Sequence, residues 1–498
     1  MPVDAFGDYT TIVVFGASGD LAKKKTFPAL FGLYREGHLP KTIQIIGYAR
    51  SKLTDEDFKS RISQHFKGGN DQIKQEFLNL CTYISDPYDT DEGYNKLRQA
   101  CEDYESKHKV SVPNRLFYLA LPPSVFTIVC KQLKKLVYSQ KTRIIVEKPF
   151  GHDLASAREL QKDLAPLFTE DELYRIDHYL GKEMVKNLLV VRFGNTLFGG
   201  VWNRNNISSV HISFKEAFGT EGRGGYFDSI GIVRDVMQNH LLQVLTLLTM
   251  ERPVSFDPEA VRDEKVKVLK AMAPIDTEDL LLGQYVKSED GTKPGYLDDD
   301  TVKPDSKCVT YAAIKCEIHN ERWEGVPIIM RAGKALQESK VEIRIQFKPV
   351  ARGMFKEISR NELVLRIQPN EAIYLKVNNK IPGISTETSL TDLDLNYSTR
   401  YSKDFWIPEA YEALIRDCYL GNHSNFVRDD ELDESWKLFT PLLEHIENPN
   451  SNINLVKYPY GAKNPKGLRA YLERHNYVFD EPGSYQWPMI NTNVKGKI

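Results

Sequence analysis

Thr10-Thr11-Ile12-Val13-Val14-Phe15-Gly16-Ala17-Ser18-Gly19-Asp20-Leu21-Ala22 is the stretch on which the fold turns. Its first half is a short β-branched run, the pattern of a strand. Two glycines follow at once, and a helical pattern starts at Asp20. A dinucleotide-binding corner requires this succession. Glycines permit the turn and a close backbone approach, and the helix N-terminus offers free N–H groups and a positive dipole end to a pyrophosphate. The spacing is G-x-x-G and not G-x-G-x-x-G, so a plain strand–turn–helix corner also accounts for the motif taken alone. Gly16, Ala17, Ser18, Gly19, Asp20 and Leu21 are the candidate cofactor residues.

Working outward, residues 43–47 read as the next strand. Helix-like stretches follow at 55–66, 73–80 and 90–107, and strands at 115–121 and 142–147 bracket a helix that begins near Ser124. Such alternation predicts βαβ units and a mostly parallel sheet. Pro28 either ends the first helix or opens a second one in its first turn. An acid usually closes the second strand of an NAD-binding fold. Here Tyr48-Ala49-Arg50 stands in that place, and no acid appears before Asp55. An arginine there can fork onto a 2′-phosphate, which favours NADP over NAD.

Beyond about residue 178 the texture changes. Segments 210–216, 311–317, 341–347, 362–368 and 372–377 alternate polar and apolar residues, as strands of a sheet with one covered face do. Helices are expected at 230–250, 258–271 and 409–420. Residues 288–307, with Asp298-Asp299-Asp300 at their centre, read as a solvated loop and not a metal site, because consecutive carboxylates rarely converge. The expected fold class is therefore α/β plus α+β. A Rossmann-like dinucleotide-binding domain (1–178) is followed by a larger α+β domain (179–498) with a mainly antiparallel sheet.

Bulk properties narrow the function. The 498 residues carry 66 Lys plus Arg against 68 Asp plus Glu, a formal charge of -2, which argues against a nucleic-acid or polybasic membrane-binding protein. The six cysteines show no C-x-x-C pair or metal-ligand spacing and read as free thiols of a reducing compartment. No signal-peptide pattern or membrane-length apolar run is present, so the cytoplasm is the expected location.

Arg175-Ile176-Asp177-His178-Tyr179-Leu180-Gly181-Lys182 is dense in groups suited to an anion. In a helix or turn, His178 and Lys182 share a face with Tyr179 beside them, a cradle for a phosphate dianion. The bland alternative is a helix C-terminus decorated with basic residues. Further on, Asp235 and His240 lie on a helix whose Val233, Met237, Leu241, Val244 and Leu248 form an apolar stripe. Pattern alone reads such a histidine as a satisfied core residue. The preceding Gly219-Thr220-Glu221-Gly222-Arg223-Gly224-Gly225 turn either admits a ligand to the backbone or is merely flexible.

Together with Glu147-Lys148-Pro149-Phe150-Gly151, Lys215-Glu216, the string 234–240 and Met330-Arg331-Ala332-Gly333-Lys334-Ala335-Leu336, these segments resemble the glucose-6-phosphate dehydrogenase family from about Val13 to Trp487. The resemblance implies oxidation of glucose 6-phosphate at C1 with hydride transfer to NADP, no metal, and a homodimer or homotetramer. It implies that His240 is the general base and Asp177 its carboxylate partner. His178, Tyr179 and Lys182 would bind the phosphate. Glu216, Asp235, Lys334 and, more weakly, Gln368 would hold sugar hydroxyls. Lys148 would touch both substrate and nicotinamide, with Pro149 adjusting it, and Lys25 and Arg50 would meet the 2′-phosphate. A second, structural NADP is implied by Arg331, Lys340, Arg344, Arg366, Lys463, Tyr485 and Trp487, with Lys463 standing where the family pattern has Arg. Ser339 departs from a basic residue carried by some members. A glucose–fructose oxidoreductase-type chain would share the Glu-Lys-Pro strand end but leave the His178/Lys182 cluster without a role. An NADP sensor would have no use for Lys148, Asp177 and His240 together.

Overall fold

The computed structural model describes residues 5–479, apart from 352, 356, 357, 385 and 402–404. The first six strands, β1 (Thr11–Phe15), β2 (Gln44–Ala49), β3 (Cys81–Ser85), β4 (Asn114–Leu119), β5 (Lys141–Val146) and β6 (Leu173–Arg175), form one sheet in the order 3-2-1-4-5-6. Every pairing in it is parallel. Along β1, Ile12 and Val14 enter one core while Val13 and Phe15 enter the other, which is why this strand is apolar without alternation. The strand order reverses between β1 and β4, and the carboxyl ends of the strands at such a switch point open the crevice in which open α/β sheets bind ligands. Helical backbone starts at residue 20 and continues through Ala22–Thr26 and Phe27–Arg35. Pro28 therefore neither ends the helix nor starts a separate one: it is the second residue of the α-helical part, directly after the π-wound turn Ala22–Thr26.

The remaining strands are β7 (Ile207–Lys215), β8 (Leu280–Val286), β9 (Tyr311–Cys316), β10 (Ile328–Gly333), β11 (Lys340–Phe347), β12 (Glu362–Gln368), β13 (Ala372–Lys380), β14 (Thr388–Asn396) and β15 (Leu455–Pro459). They make a sheet in the order 14-13-12-11-7-10-9-8-15. Only the β7–β10 and β8–β15 pairs are parallel; the other neighbours run antiparallel. The expected α/β plus α+β division is what the chain adopts. The helix Ala410–Leu420, from the second half, nevertheless packs Leu414, Ile415 and Cys418 into the core beneath β1 and β2.

Two expectations need correction. The helix expected at 230–250 runs from Val233 to Thr249, and its Val233–Leu241 part is wound as a π-helix before Leu242–Thr249 continues as α. The 288–307 segment is not simply a solvated loop. Tyr296 at its centre is fully buried, Val302 is buried too, and Asp299 accepts a hydrogen bond from Gly224 N at 3.1 Å. Its acids mislead because composition reports average exposure and not which carboxylate is tied to backbone.

Candidate active site

The Asp177–Lys182 segment leaves β6 as a run of tight turns, each closing on a carbonyl three residues back: Leu180 N to Asp177 O, Gly181 N to His178 O and Lys182 N to Tyr179 O. It leads into the helix Glu183–Phe193. These cations stand before a helix N-terminus, where the macrodipole disfavours positive charge, so decoration of a helix C-terminus does not explain them.

The π-wound helix lies on β7 and β10 and turns His240 inward, 2% exposed, toward that segment. His240 Nδ1 sits 2.5 Å from Asp177 Oδ1, and Tyr179 N donates to the same oxygen at 2.9 Å. On the other edge of the ring, Nε2 is 3.0 Å from Lys148 Nζ, which also donates to the Asp235 carbonyl at 2.8 Å. Lys148 follows β5 and precedes a cis bond to Pro149. Lys334, at the end of β10, pairs with Glu216 at 2.6 Å and Asp235 at 3.2 Å. Tyr179 stacks on His240 with ring centroids 4.6 Å apart, and Lys182 Nζ lies 5.0 Å from the Tyr179 ring. The His178 ring is 4.5 Å from that of His240. Residues scattered from Lys148 to Lys334 thus converge on one cluster. Gln368, at the end of β12, precedes Glu371, whose charge is felt at Lys182.

Burial sets the electrostatics. It pushes the His240 imidazole below its ordinary range, with Asp177 working against that and Lys148 with it. Burial would raise the Asp177 carboxyl, but the charge and hydrogen bond of His240, with His178, bring it down to about 2. His178 is held well below its usual range, first by burial and then by the charge of His240. Burial also lowers Lys182, opposed by Glu371, while Lys25 adds a like charge. Glu147, named in the sequence only as part of a string, is a buried carboxyl pushed up to about 7. Burial dominates there, against hydrogen bonds from Tyr118 and Tyr411. Tyr411 gave no sequence signal, because its partner lies 264 residues away in the chain (411 minus 147). Asp177, His178 and His240 place ligand-type atoms within 4.8 Å of one another. The 2.5 Å between Asp177 and His240 is a hydrogen-bond length with no room for an ion between them.

At the cofactor end, Gly16 closes β1 with φ +75°, and a Cβ there would stand 2.2 Å from Ala120 O. The turn needs glycine for the chain's own sake before any ligand arrives. Gly16 N and Ala17 N both donate to Tyr48 O, and Gly19 N closes onto Gly16 O at 2.8 Å. Ser18 Oγ is 3.0 Å from Ser51 Oγ, and Asp20 pairs with Lys24 just before Lys25. Leu21 is half-buried beside them. Arg50 projects exposed from the end of β2, its guanidinium 5.6 Å from the Tyr88 ring centroid. An exposed fork over an aromatic ring, with no ion pair among the described residues, fits an adenosine 2′-phosphate. Lys25, expected with Arg50 at the 2′-phosphate, has its charge felt at Lys182 and Glu409. A cleft of about 700 Å³ reaches Lys148, Pro149 and Asp177 from Ser124, Phe150 and Trp436.

Of the residues expected at a second nucleotide, Lys340, Arg344 and Arg366 stand on the adjacent strands β11 and β12, and Arg331 stands on β10, across β7 from them. Lys340 pairs with Glu338 at 3.0 Å, Arg344 with Glu342 and Glu362 at 2.9 and 2.8 Å, and Arg331 donates to Asn464 at 2.7 Å. The Lys463 carbonyl accepts from Lys215 Nζ at 3.4 Å. Tyr485 and Trp487 lie outside the described residues. Ser339 Oγ accepts from Ala217 N at 2.9 Å, so the departure from a basic residue becomes a backbone anchor.

Comparison with known proteins matches the two halves separately. Residues 13–187 match the family model "Glucose-6-phosphate dehydrogenase, NAD binding domain", and 189–487 match "Glucose-6-phosphate dehydrogenase, C-terminal domain". Glucose-6-phosphate 1-dehydrogenase of Cyberlindnera jadinii is 77% identical over 494 residues, 99% of this chain and all of that one. The Saccharomyces cerevisiae protein of that name is 67% identical over 491 residues, 97% of each chain. A solved glucose-6-phosphate dehydrogenase in complex with its substrate glucose-6-phosphate superimposes with a TM-score of 0.93 at 65% identity, covering 96% of this chain and 99% of that one.

Proposed function

From a chain that belongs to the glucose-6-phosphate dehydrogenase family, we propose a division of labour in which His240 is the general base and Asp177 sets its tautomer. The reaction is oxidation of D-glucose 6-phosphate at C1 to 6-phospho-D-glucono-1,5-lactone, the entry step of the oxidative pentose phosphate pathway, with NADP taking the hydride. The observation that carries the reading is the two-sided environment of His240. Nδ1 meets Asp177 at 2.5 Å while Nε2 points the other way, to Lys148 at 3.0 Å. An ionised Asp177 accepts the hydrogen bond from Nδ1–H and so keeps Nε2 unprotonated, able to take the C1 hydroxyl proton. The Lys148 ammonium, beside that same nitrogen, stabilises the oxygen as it loses its proton. Glu216 and Asp235, bridged by Lys334, offer acceptors and a donor to sugar hydroxyls.

Lys182, His178 and Tyr179 take the phosphate, with Lys25 adding charge from the first helix and Gln368 at the rim. Lys182→Ala is expected to raise KM for glucose 6-phosphate about tenfold, the lower range for a hydrogen bond to a charged group. KM for free glucose should be nearly unchanged. Steady-state kinetics with both sugars checks this, and equal losses would remove the phosphate assignment.

The edge strand β14 and its flanks leave Leu393, Ile384 and Phe405 61%, 106% and 65% exposed, large apolar side chains whose exposure supports self-association as a homodimer or homotetramer. Light scattering of the purified chain should give a mass of two or four copies; a single-chain mass would remove the proposal. The unpaired thiols support a reducing compartment, and we place the chain in the cytoplasm, to be checked by fractionation. No helix among the described residues is long and apolar enough to cross a membrane.

A further inference from the structure

The glycine-rich turn 219–225 precedes the π-wound helix and has too few side chains to hold itself in shape. Four of its seven backbone N–H groups nonetheless donate to side chains. Gly219 N donates to Tyr460 Oη at 3.2 Å and Thr220 N to Tyr285 Oη at 3.1 Å. Gly224 N donates to Asp299 Oδ2 at 3.1 Å and Gly225 N to Thr301 Oγ1 at 2.8 Å. Asp299 Oδ1 in turn accepts from Thr301 N and Thr301 Oγ1, at 2.9 and 2.6 Å, so one carboxylate grips the turn and orients the second acceptor. Just beyond the turn, Asp228 accepts from Tyr296 Oη at 2.8 Å and from Ser306 Oγ. The glycines are what this grip demands. A Cβ on Gly224 would lie 2.4 Å from Val302 Cγ2 and 2.6 Å from Asp299 Oδ2, and one on Gly225 would lie 2.7 Å from Thr301 O. The turn is thus built to receive a strap of the chain's own residues and not a phosphate.

What the strap holds bears on the sugar. Phe218 and Phe227 flank the turn, and their rings stand 5.7 and 5.1 Å from Lys334 Nζ. The Phe218 carbonyl also accepts from Ala335 N at 2.8 Å, next to Lys334 itself. We propose that Asp299, acting with Thr301, is a positioning residue for the sugar end of the active site. It fixes the 219–228 turn so that Phe218 and Phe227 hold Lys334 against Glu216 and Asp235. His240, Asp177 and Lys148 stand on other segments, so loosening the turn weakens sugar binding while leaving the proton transfer intact. The inference rests on Lys334 serving the sugar.

The experiment is steady-state kinetics of the full chain. Asp299→Ala is expected to raise KM for glucose 6-phosphate roughly tenfold, the size of one charge-assisted hydrogen bond lost between a misplaced Lys334 and the sugar, with kcat within about twofold and KM for NADP unchanged. Asp299→Asn, which keeps one acceptor oxygen, should recover part of the loss. Should Asp299→Ala not fold, Thr301→Val, which removes the acceptor for Gly225 N, and Thr301→Ser, which keeps it, must give the same split. Unchanged sugar KM in folded Asp299→Ala or Thr301→Val overturns the proposal, as does a fall in kcat together with both KM values. Lys334→Ala separates the premise: a raised sugar KM there, with none in the strap variants, leaves the sugar assignment standing and removes only the strap.

Discussion

His240→Asn is expected to lose turnover roughly a hundredfold or more, the range of general-base contributions, while binding glucose 6-phosphate almost as well as the parent enzyme. The C1 hydroxyl is too weak an acid to ionise at neutral pH, so the hydride leaves only as a nearby base takes the proton. An asparagine keeps bulk and hydrogen bonding in the pocket but accepts no proton. Asp177→Asn should fall in the same direction, because an amide can donate to Nδ1 and so leave the proton on Nε2, the wrong nitrogen. The pH profile adds a second readout. Burial holds the His240 imidazole below its ordinary value of about 6.5, so the base stays available below that pH. In the parent enzyme kcat/KM should fall only as pH drops through the lowered value, where His240 becomes protonated. His240→Asn should lose that acid limb. The measurements are turnover across pH beside equilibrium binding of glucose 6-phosphate to each variant. Near-normal turnover in His240→Asn would send the search for the base elsewhere in the cleft.

These residues differ in how far the sequence alone exposes them. β1 and its glycines are legible because a strand buried on both faces must be apolar at every position, and its turn must accept φ +75° against Ala120. β11 is legible because its faces differ in chemistry: Val341, Ile343 and Ile345 enter the core while Glu342 and Arg344 share an ion network. His240 is not legible by pattern, since it occupies the apolar stripe of its helix and burial makes it look like any core residue. Its surroundings are set by Asp177, 63 residues earlier, and by Lys148, 92 residues earlier. Only a family likeness or a fold brings these three together. Asp299 is hidden for a different reason. It sits in an acidic run whose composition indicates solvent, while its partners are backbone N–H groups that leave no trace in a sequence except the glycines that make room for it.

Arg50→Ala is expected to weaken NADP binding by roughly ten- to 150-fold, the equivalent of losing a charged hydrogen bond of about 1.5–3 kcal/mol, with NAD binding nearly unchanged. Arg50 leaves the end of β2, where an NAD-binding fold usually presents a carboxylate to the ribose hydroxyls. A carboxylate there would repel a 2′-phosphate; the guanidinium attracts it and matches its oxygens in a planar fork. The placement over Tyr88 limits where the fork can go, since the ring backs one face at 5.6 Å and leaves the edge outward. Arg50 makes no ion pair among the described residues, so its removal strands no buried charge and the fold should be indifferent to it. That indifference keeps the test clean. Tryptophan or nucleotide fluorescence titration of both dinucleotides gives the two dissociation constants without turnover, and a melting curve reports the fold. Lys25→Ala is the useful companion, because the Lys25 charge is felt at Lys182 and Glu409. Its loss should appear in KM for the phosphorylated sugar more than in NADP affinity. If Arg50→Ala weakens NAD and NADP equally, the arginine serves the corner itself, and the 2′-phosphate must be read by another group at the end of β2.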